Sequence, residues 1–267
     1  MIVRIRNENE FKKTDLVMPW SIFPLANISF YGLNRRIFHL YKTGNCFFSK
    51  YDDSIQVCSV EASDNELNDI CSFILRKKIR MITAEPSIAL RMSKILDKFS
   101  ISFSKKDGYV VQINLFNKCD SNRLITAKEK REFKNMVDIV CRANSDNPYF
   151  YHKKQLLKQY YKRSKSGYCR NFYIKEESLM VGTISTYCET DDYCVIGGLS
   201  VDPVFQKKGF GKLLFLGALN KLNAENKKIF LFCYKQELLN FYSKYSDAKT
   251  PISKILVDYK SATSVNK

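Results

Sequence analysis

The 267-residue sequence has only two histidines, His39 and His152, and they lie far apart in the chain. Neither HxxxH nor HExxH occurs, and none of the nine cysteines is spaced CxxC from another, so metal chemistry has no ligand set to build on. No run of eighteen apolar residues is present, which excludes a helical membrane span. The first ten residues, MIVRIRNENE, lack the sustained apolar core of a secretory signal, and a cytoplasmic location is expected. An odd cysteine count without such a signal points to reduced thiols that fill cores as small hydrophobes, Cys194 and Cys233 among them. Acidic residues are also short, 27 against 44 Lys and Arg, for a net charge of +17. The basic clusters at 76–80 and 153–165 carry no RNA- or DNA-binding signature, so nucleic acid is not an expected partner.

Hydrophobic residues make up 45% of the chain and aromatics 13%, enough for one large or two modest cores. The two familiar phosphate loops, GxGxxG and GxxxxGK[ST], are both missing. A different turn stands between an apolar, strand-like run over 194–201 and a helical pattern of Leu213, Leu214, Leu216, Leu219 and Leu222. It reads Val201-Asp202-Pro203-Val204-Phe205-Gln206-Lys207-Lys208-Gly209-Phe210-Gly211-Lys212. Glycines at 209 and 211 let backbone approach an anion closely, and a helix start supplies free N–H groups and a favourable dipole. The other reading is a strand–turn–helix connection that uses its glycines for tight packing.

The pattern VxPxxQxxGxG resembles motif A of the GNAT N-acetyltransferase superfamily. The resemblance implies that Gln206, Lys207, Lys208, Gly209, Phe210, Gly211 and Lys212 wrap the pyrophosphate of acetyl-CoA. It further implies that Leu199, Ser200 and Val201 offer backbone groups to the pantetheine arm across a splayed gap between two strands. A second stretch is similar to motif B of that family: the apolar strand 228–233, then a helix carrying Phe241-Tyr242-Ser243-Lys244. Ser246 and Asp247 stand where the family has Gly-Phe, and Lys235 where an Asn often holds pantetheine. By the same resemblance Tyr242 is the general acid that protonates the departing thiolate. Glu189 is a carboxylate that could serve as base, or simply solvate the turn beside Asp191 and Asp192.

The expected fold is therefore α/β (α+β), a mixed central sheet flanked by helices in the GNAT arrangement and in tandem. Residues 121–267 form the GNAT N-acetyltransferase domain, and residues 1–120 a degenerate GNAT-like or accessory α/β domain, divided at the polar segment 117–127. In the C-terminal part the patterns predict helices over 127–142 and 148–163, strands over 169–175, 179–189 and 192–201, and a closing strand over 255–259. The N-terminal part shows strands at 37–40, 46–49, 55–60 and 79–83, with helices at 66–77 and 87–99; no QxxGxG precedes residue 206. The implied activity is transfer of acetyl from acetyl-CoA, a cosubstrate, to a primary amine of a small molecule or peptide, without a metal and without a membrane. A non-catalytic acyl-CoA-binding regulatory protein is the alternative.

Overall fold

Short β-branched and aromatic runs separated by amphipathic stretches build two units with one shared order of elements. The computed structural model describes residues 1–33, 37–114, 123–145, 152–246 and 248–259. Met1–Val110, Cys233–Phe241 and Lys249–Lys267 form the first compact unit, and Val111–Phe232 with Tyr242–Ala248 the second. The two are thus interleaved in sequence rather than divided at residue 120. The polar segment expected to separate them lies outside the described residues up to 122.

The first unit opens with β1 (Val3–Ile5) and α1 (Ile22–Tyr31), then β2 (Phe38–Thr43), β3 (Cys46–Tyr51) and β4 (Ser54–Val57). Helix α2 (Asp64–Lys77) crosses to β5 (Met81–Ala84), and α3 (Pro86–Lys98) leads to β6 (Ser102–Ile113). β1 to β4 pair antiparallel in chain order, and β4 pairs parallel with β5. Ile70, Cys71 and Ile74 of α2 and Ile88, Met92 and Leu96 of α3 bury their stripes against Phe48, Ile55 and Ile82 of this sheet. Each such side chain contributes about 1.5–3 kcal/mol through the apolar area it removes from water.

The second unit repeats the pattern: β7 (Ile125–Thr126), α4 (Lys130–Ala143), α5 (Lys153–Lys165), β8 (Asn171–Glu176), β9 (Leu179–Glu189) and β10 (Tyr193–Val201). Helix α6 (Phe210–Asn223) crosses to β11 (Lys228–Cys233); α7 (Gln236–Tyr242), next in the chain, belongs to the first unit up to Phe241. Again the antiparallel strands pair in chain order, β7 to β10, and the crossover makes β10–β11 parallel. α4 starts at Lys130 rather than 127 because Glu129 and Glu132 form a capping box there. Residues 148–151 of the second expected helix lie outside the described residues; the described helix spans Lys153–Lys165, two residues past the expected end.

The last strand departs from expectation. β12 spans Ala248–Asp258, longer than 255–259, and pairs antiparallel with β5 (Ser253↔Ala84 to Leu256↔Met81), inside the first unit. Ile255 and Val257 enter the first unit's core. Burial of that apolar face places the strand, and its sequence pattern does not encode which sheet receives it.

Candidate cofactor site

Strand β10 is paired on both sides only over its first half. Its parallel ladder with β11 runs from Tyr193↔Lys228 to Ile196↔Leu231 and shows no further pair among the described residues, although β10 continues to Val201. On the β9 side the pairing persists to Ser200↔Thr183 and Val201↔Gly182, with register shifts after Val195 and between Gly197 and Ser200. The ladder leaves a gap facing Leu199, Ser200 and Val201, three residues singled out from the sequence. Backbone groups at such an edge are free to take an extended ligand as an added strand would. The Ser200 hydroxyl is buried and accepts from Asn144 Nδ2 at 3.4 Å.

Beyond Val201 the chain turns sharply. Asp202 accepts from the Val204 N–H at 3.3 Å and from Arg142 Nε at 3.1 Å, and Pro203 opens a single 3-10 turn. Gln206 Nε2 donates back to the Val201 carbonyl at 3.1 Å, closing the loop. Lys207 (φ 61) and Gly209 (φ 86) both lie in the left-handed region, a geometry that tilts successive N–H groups into a concave nest. For Lys207 that conformation costs about 1 kcal/mol. Lys207, Lys208 and Lys212 are exposed around the turn, and Lys208 Nζ sits 5.3 Å from the centroid of the Phe205 ring.

Packing does not explain the glycines. A Cβ on Gly209 would meet nothing within 4 Å, and one on Gly211 would touch only Val201 Cγ2 at 3.8 Å, an ordinary contact. Gly209 is needed for its positive φ as the residue before α6. Gly211 has no such need, and the space its side chain would fill is open. At its start α6 has no side-chain cap and no acidic residue in its first turn.

The equivalent crossover helix of the first unit is built the opposite way. Ser63 caps α2 by accepting from the Glu66 N–H, and Glu66 accepts from the N–H groups of Ser63 (2.6 Å) and Asn45 (2.6 Å). Asp64 and Glu66 occupy its first turn, with Asp64 paired to Arg91. The first unit thus fills its own helix terminus with carboxylates, and any pyrophosphate there would meet like charge.

Tyr242 ends α7, is 8% exposed, and rests against Phe215 of α6 with ring centroids 5.2 Å apart. Tyr245 packs on the same Phe215 ring at 5.2 Å. The Lys235 carbonyl accepts from the Leu239 N–H at 3.0 Å and from Cys233 Sγ at 3.3 Å. Asp247 lies outside the described residues.

Residues 134–245 match the sequence model of the Acetyltransferase (GNAT) family. This segment is a GNAT domain. Solved structures with the same fold include a GCN5-related N-acetyltransferase from Kribbella flavida, 11% identical, at TM-score 0.57 over 88% of this chain and 95% of that one. A tandem GNAT protein from the clavulanic acid biosynthesis pathway is 9% identical, at TM-score 0.56 over 96% and 98% of the two chains. A GNAT-family acetyltransferase from Colwellia psychrerythraea is 11% identical, at TM-score 0.54 over 96% and 99%. No curated protein matches the sequence. At these identities the structures establish the fold, a tandem GNAT arrangement, and the repeated strand order of the two units accounts for it.

Within the GNAT domain Glu189 is committed to structure. Arg170 grips it bidentately (2.8 and 2.7 Å) and also holds Glu225 (2.6 and 2.9 Å), while Lys227 Nζ reaches Glu189 at 3.1 Å and Thr186 Oγ1 donates at 2.7 Å. Burial pushes its pKa up, but the hydrogen bonds from Arg170 and Thr186 and the nearby positive charges more than reverse this, and the net shift is downward. This network sits where β10 and β11 begin, at the opposite end of β10 from Val201. Glu189 is therefore neither a turn solvator nor placed to act as a base at the gap.

Two aromatics escaped the sequence reading. A Cβ on Gly197 would collide with the Tyr187 ring at 2.5 Å, and one on Gly198 (φ 64) would lie 3.2 Å from the Tyr160 hydroxyl. Tyr187 of β9 and Tyr160 of α5 thus close over the irregular stretch of β10. The Gly197-Gly198 pair inside an otherwise apolar strand was the available signal. The eight described cysteines are free and buried, and burial raises the thiol of Cys194 to about 12, so it fills core rather than acting as nucleophile.

Proposed function

We propose that the chain is an N-acetyltransferase that transfers the acetyl group of acetyl-CoA to a primary amine of a small molecule or peptide. The observation that carries this is the uncapped start of α6 behind Gly209, in line with the unpaired end of β10. The residues fit the group. Amides from Gly209 through Lys212, with the lysines around them, suit a pyrophosphate; Gln206 holds the loop shut. Leu199, Ser200 and Val201 present backbone to the pantetheine amides. When bound, acetyl-CoA supplies an acyl thioester, and the protein's task is orientation and proton handling.

An acceptor amine has a pKa of about 10.4 in water and must lose a proton before attack. Holding it at near-attack distance beside the β10 gap supplies much of the rate. Tyr242 is the acid in this reading, its ring fixed by Phe215 so that the hydroxyl can protonate the leaving thiolate. In this reading the second unit carries the activity, and the first acts as the degenerate copy. Eight buried free thiols suit a reducing compartment, the cytoplasm. Lys235 in place of Asn favours the second reading, a protein that binds acyl-CoA without turnover. Free-thiol release from acetyl-CoA across an amine panel decides between them: amine-dependent release supports the enzyme, and binding without release supports the regulator.

A further inference from the structure

Helix α5 holds six basic residues in thirteen and no acidic one. Lys154, Lys158, Lys162 and Lys165 recur at spacings of four, four and three, so they share one stripe along the helix, and all four are exposed. Among the described residues none of them pairs with a carboxylate; Lys165 only overlies the Tyr161 ring at 5.7 Å, and the neighbouring Lys153 takes Asp138. Like charges four residues apart oppose helix formation by a few tenths of a kcal/mol per pair. Lys153 and Lys154 also stand at the positive end of the helix dipole, with no acidic residue in that turn. Of the helix's residues only Leu156 is fully buried. Among the described residues no carboxylate offsets the mutual repulsion of this stripe.

The face of α5 opposite the stripe reaches β10, where Tyr160 lies against Gly198; Tyr161, beside the stripe, meets Phe133 edge-on at 5.5 Å. We propose that the α5 stripe docks an acidic polypeptide segment of the acceptor, so that the amine acetylated is carried on a chain rich in Asp and Glu. This rests on the acetyltransferase reading above and narrows its substrate. Lysines four apart rise about 6 Å along a helix, close to the roughly 6.6 Å between same-side residues of an extended peptide. All four stripe residues are lysine, mobile point charges that can each meet a carboxylate. The two aromatics of α5 are engaged, Tyr160 against Gly198 and Tyr161 between Phe133 and Lys165, which disfavours base stacking on this helix.

The test uses the full chain and a labelled peptide with a free amine and Glu at alternate positions, read by fluorescence anisotropy. A Gln-for-Glu peptide and a single-stranded oligonucleotide of equal charge are the comparison probes. Lys154→Gln/Lys158→Gln/Lys162→Gln removes three of the stripe's four lysines, and Lys12→Gln/Lys94→Gln/Lys98→Gln removes equal charge elsewhere. The Glu peptide should bind at least tenfold tighter than the Gln peptide, with affinity that falls as salt rises. The stripe variant should lose at least tenfold and raise KM for that peptide with kcat unchanged, while its melting temperature is kept or raised; the control variant should change nothing. Equal binding of both peptides, equal loss in both variants, or tighter oligonucleotide binding that the stripe variant abolishes would each overturn the proposal. Calorimetry with acetyl-CoA runs beside it: no cofactor binding in the parent chain would defeat the acetyltransferase reading while leaving the peptide result to be judged by itself.

Discussion

Gly211 separates binding from stability more sharply than any other residue of the turn. Its Cβ position is open, and a carboxylate two residues into a helix is favoured by the dipole. Gly211→Glu should therefore leave the melting temperature unchanged or higher, yet raise the Kd for acetyl-CoA at least tenfold by placing charge in the anion's position, as Asp64 and Glu66 do in the first unit. Calorimetry and a thermal melt on the same sample check both signs. Tyr242→Phe removes one oxygen and keeps the packing on Phe215. If the hydroxyl is the acid, kcat falls by about ten- to a thousandfold with cofactor affinity nearly constant; full activity in the Phe variant would leave Tyr242 a packing residue. The turn was legible in the sequence because glycines at fixed offsets stand between a strand-like run and a helical pattern. Tyr160 and Tyr187 were not, since one tyrosine among sixteen declares its neighbours only through the fold.

At the level of elements, the ion network of Arg170, Glu189, Glu225 and Lys227 joins β8, β9 and the turn between α6 and β11. Glu225 is held below the usual carboxylate range chiefly by its hydrogen bonds from Arg170, and Glu189 is also shifted downward. Folded-state values below the unfolded value of about 4.3 mean that their stabilisation is in place above that pH and is lost as pH falls through the folded values. Acid melts should thus drop steeply below about pH 4, and Glu189→Gln should flatten that drop while costing about 3 kcal/mol at pH 7 by leaving Arg170 and Lys227 short of a partner. Thiol release at saturating substrate should be unaffected, and a lost kcat in a folded variant would return Glu189 to the chemistry. Helices α2, α3, α4 and α6 could be read from their periodicity. α1 could not: Ile22–Tyr31 is apolar at most positions, with no polar face to set a period. The extent of β12 and its pairing with β5 were equally hidden, because strand partners far apart in sequence are chosen by packing.

On the scale of the whole molecule, two units share one strand order, but only one keeps an open helix terminus. Positive charge is denser after residue 126, with 25 basic against 14 acidic side chains, than before it, with 19 against 13. In the acetyltransferase reading, that bias would help collect an anionic cosubstrate and an acidic acceptor. A single site per chain follows from the contrast between Gly209 before α6 and the Ser63–Glu66 box that closes α2. The most direct measurement is a calorimetric titration of the full chain with acetyl-CoA, repeated on Gly211→Glu. The account predicts one molecule bound per chain and binding lost in the folded variant; two equivalent sites, or an unchanged Kd in Gly211→Glu, would contradict it.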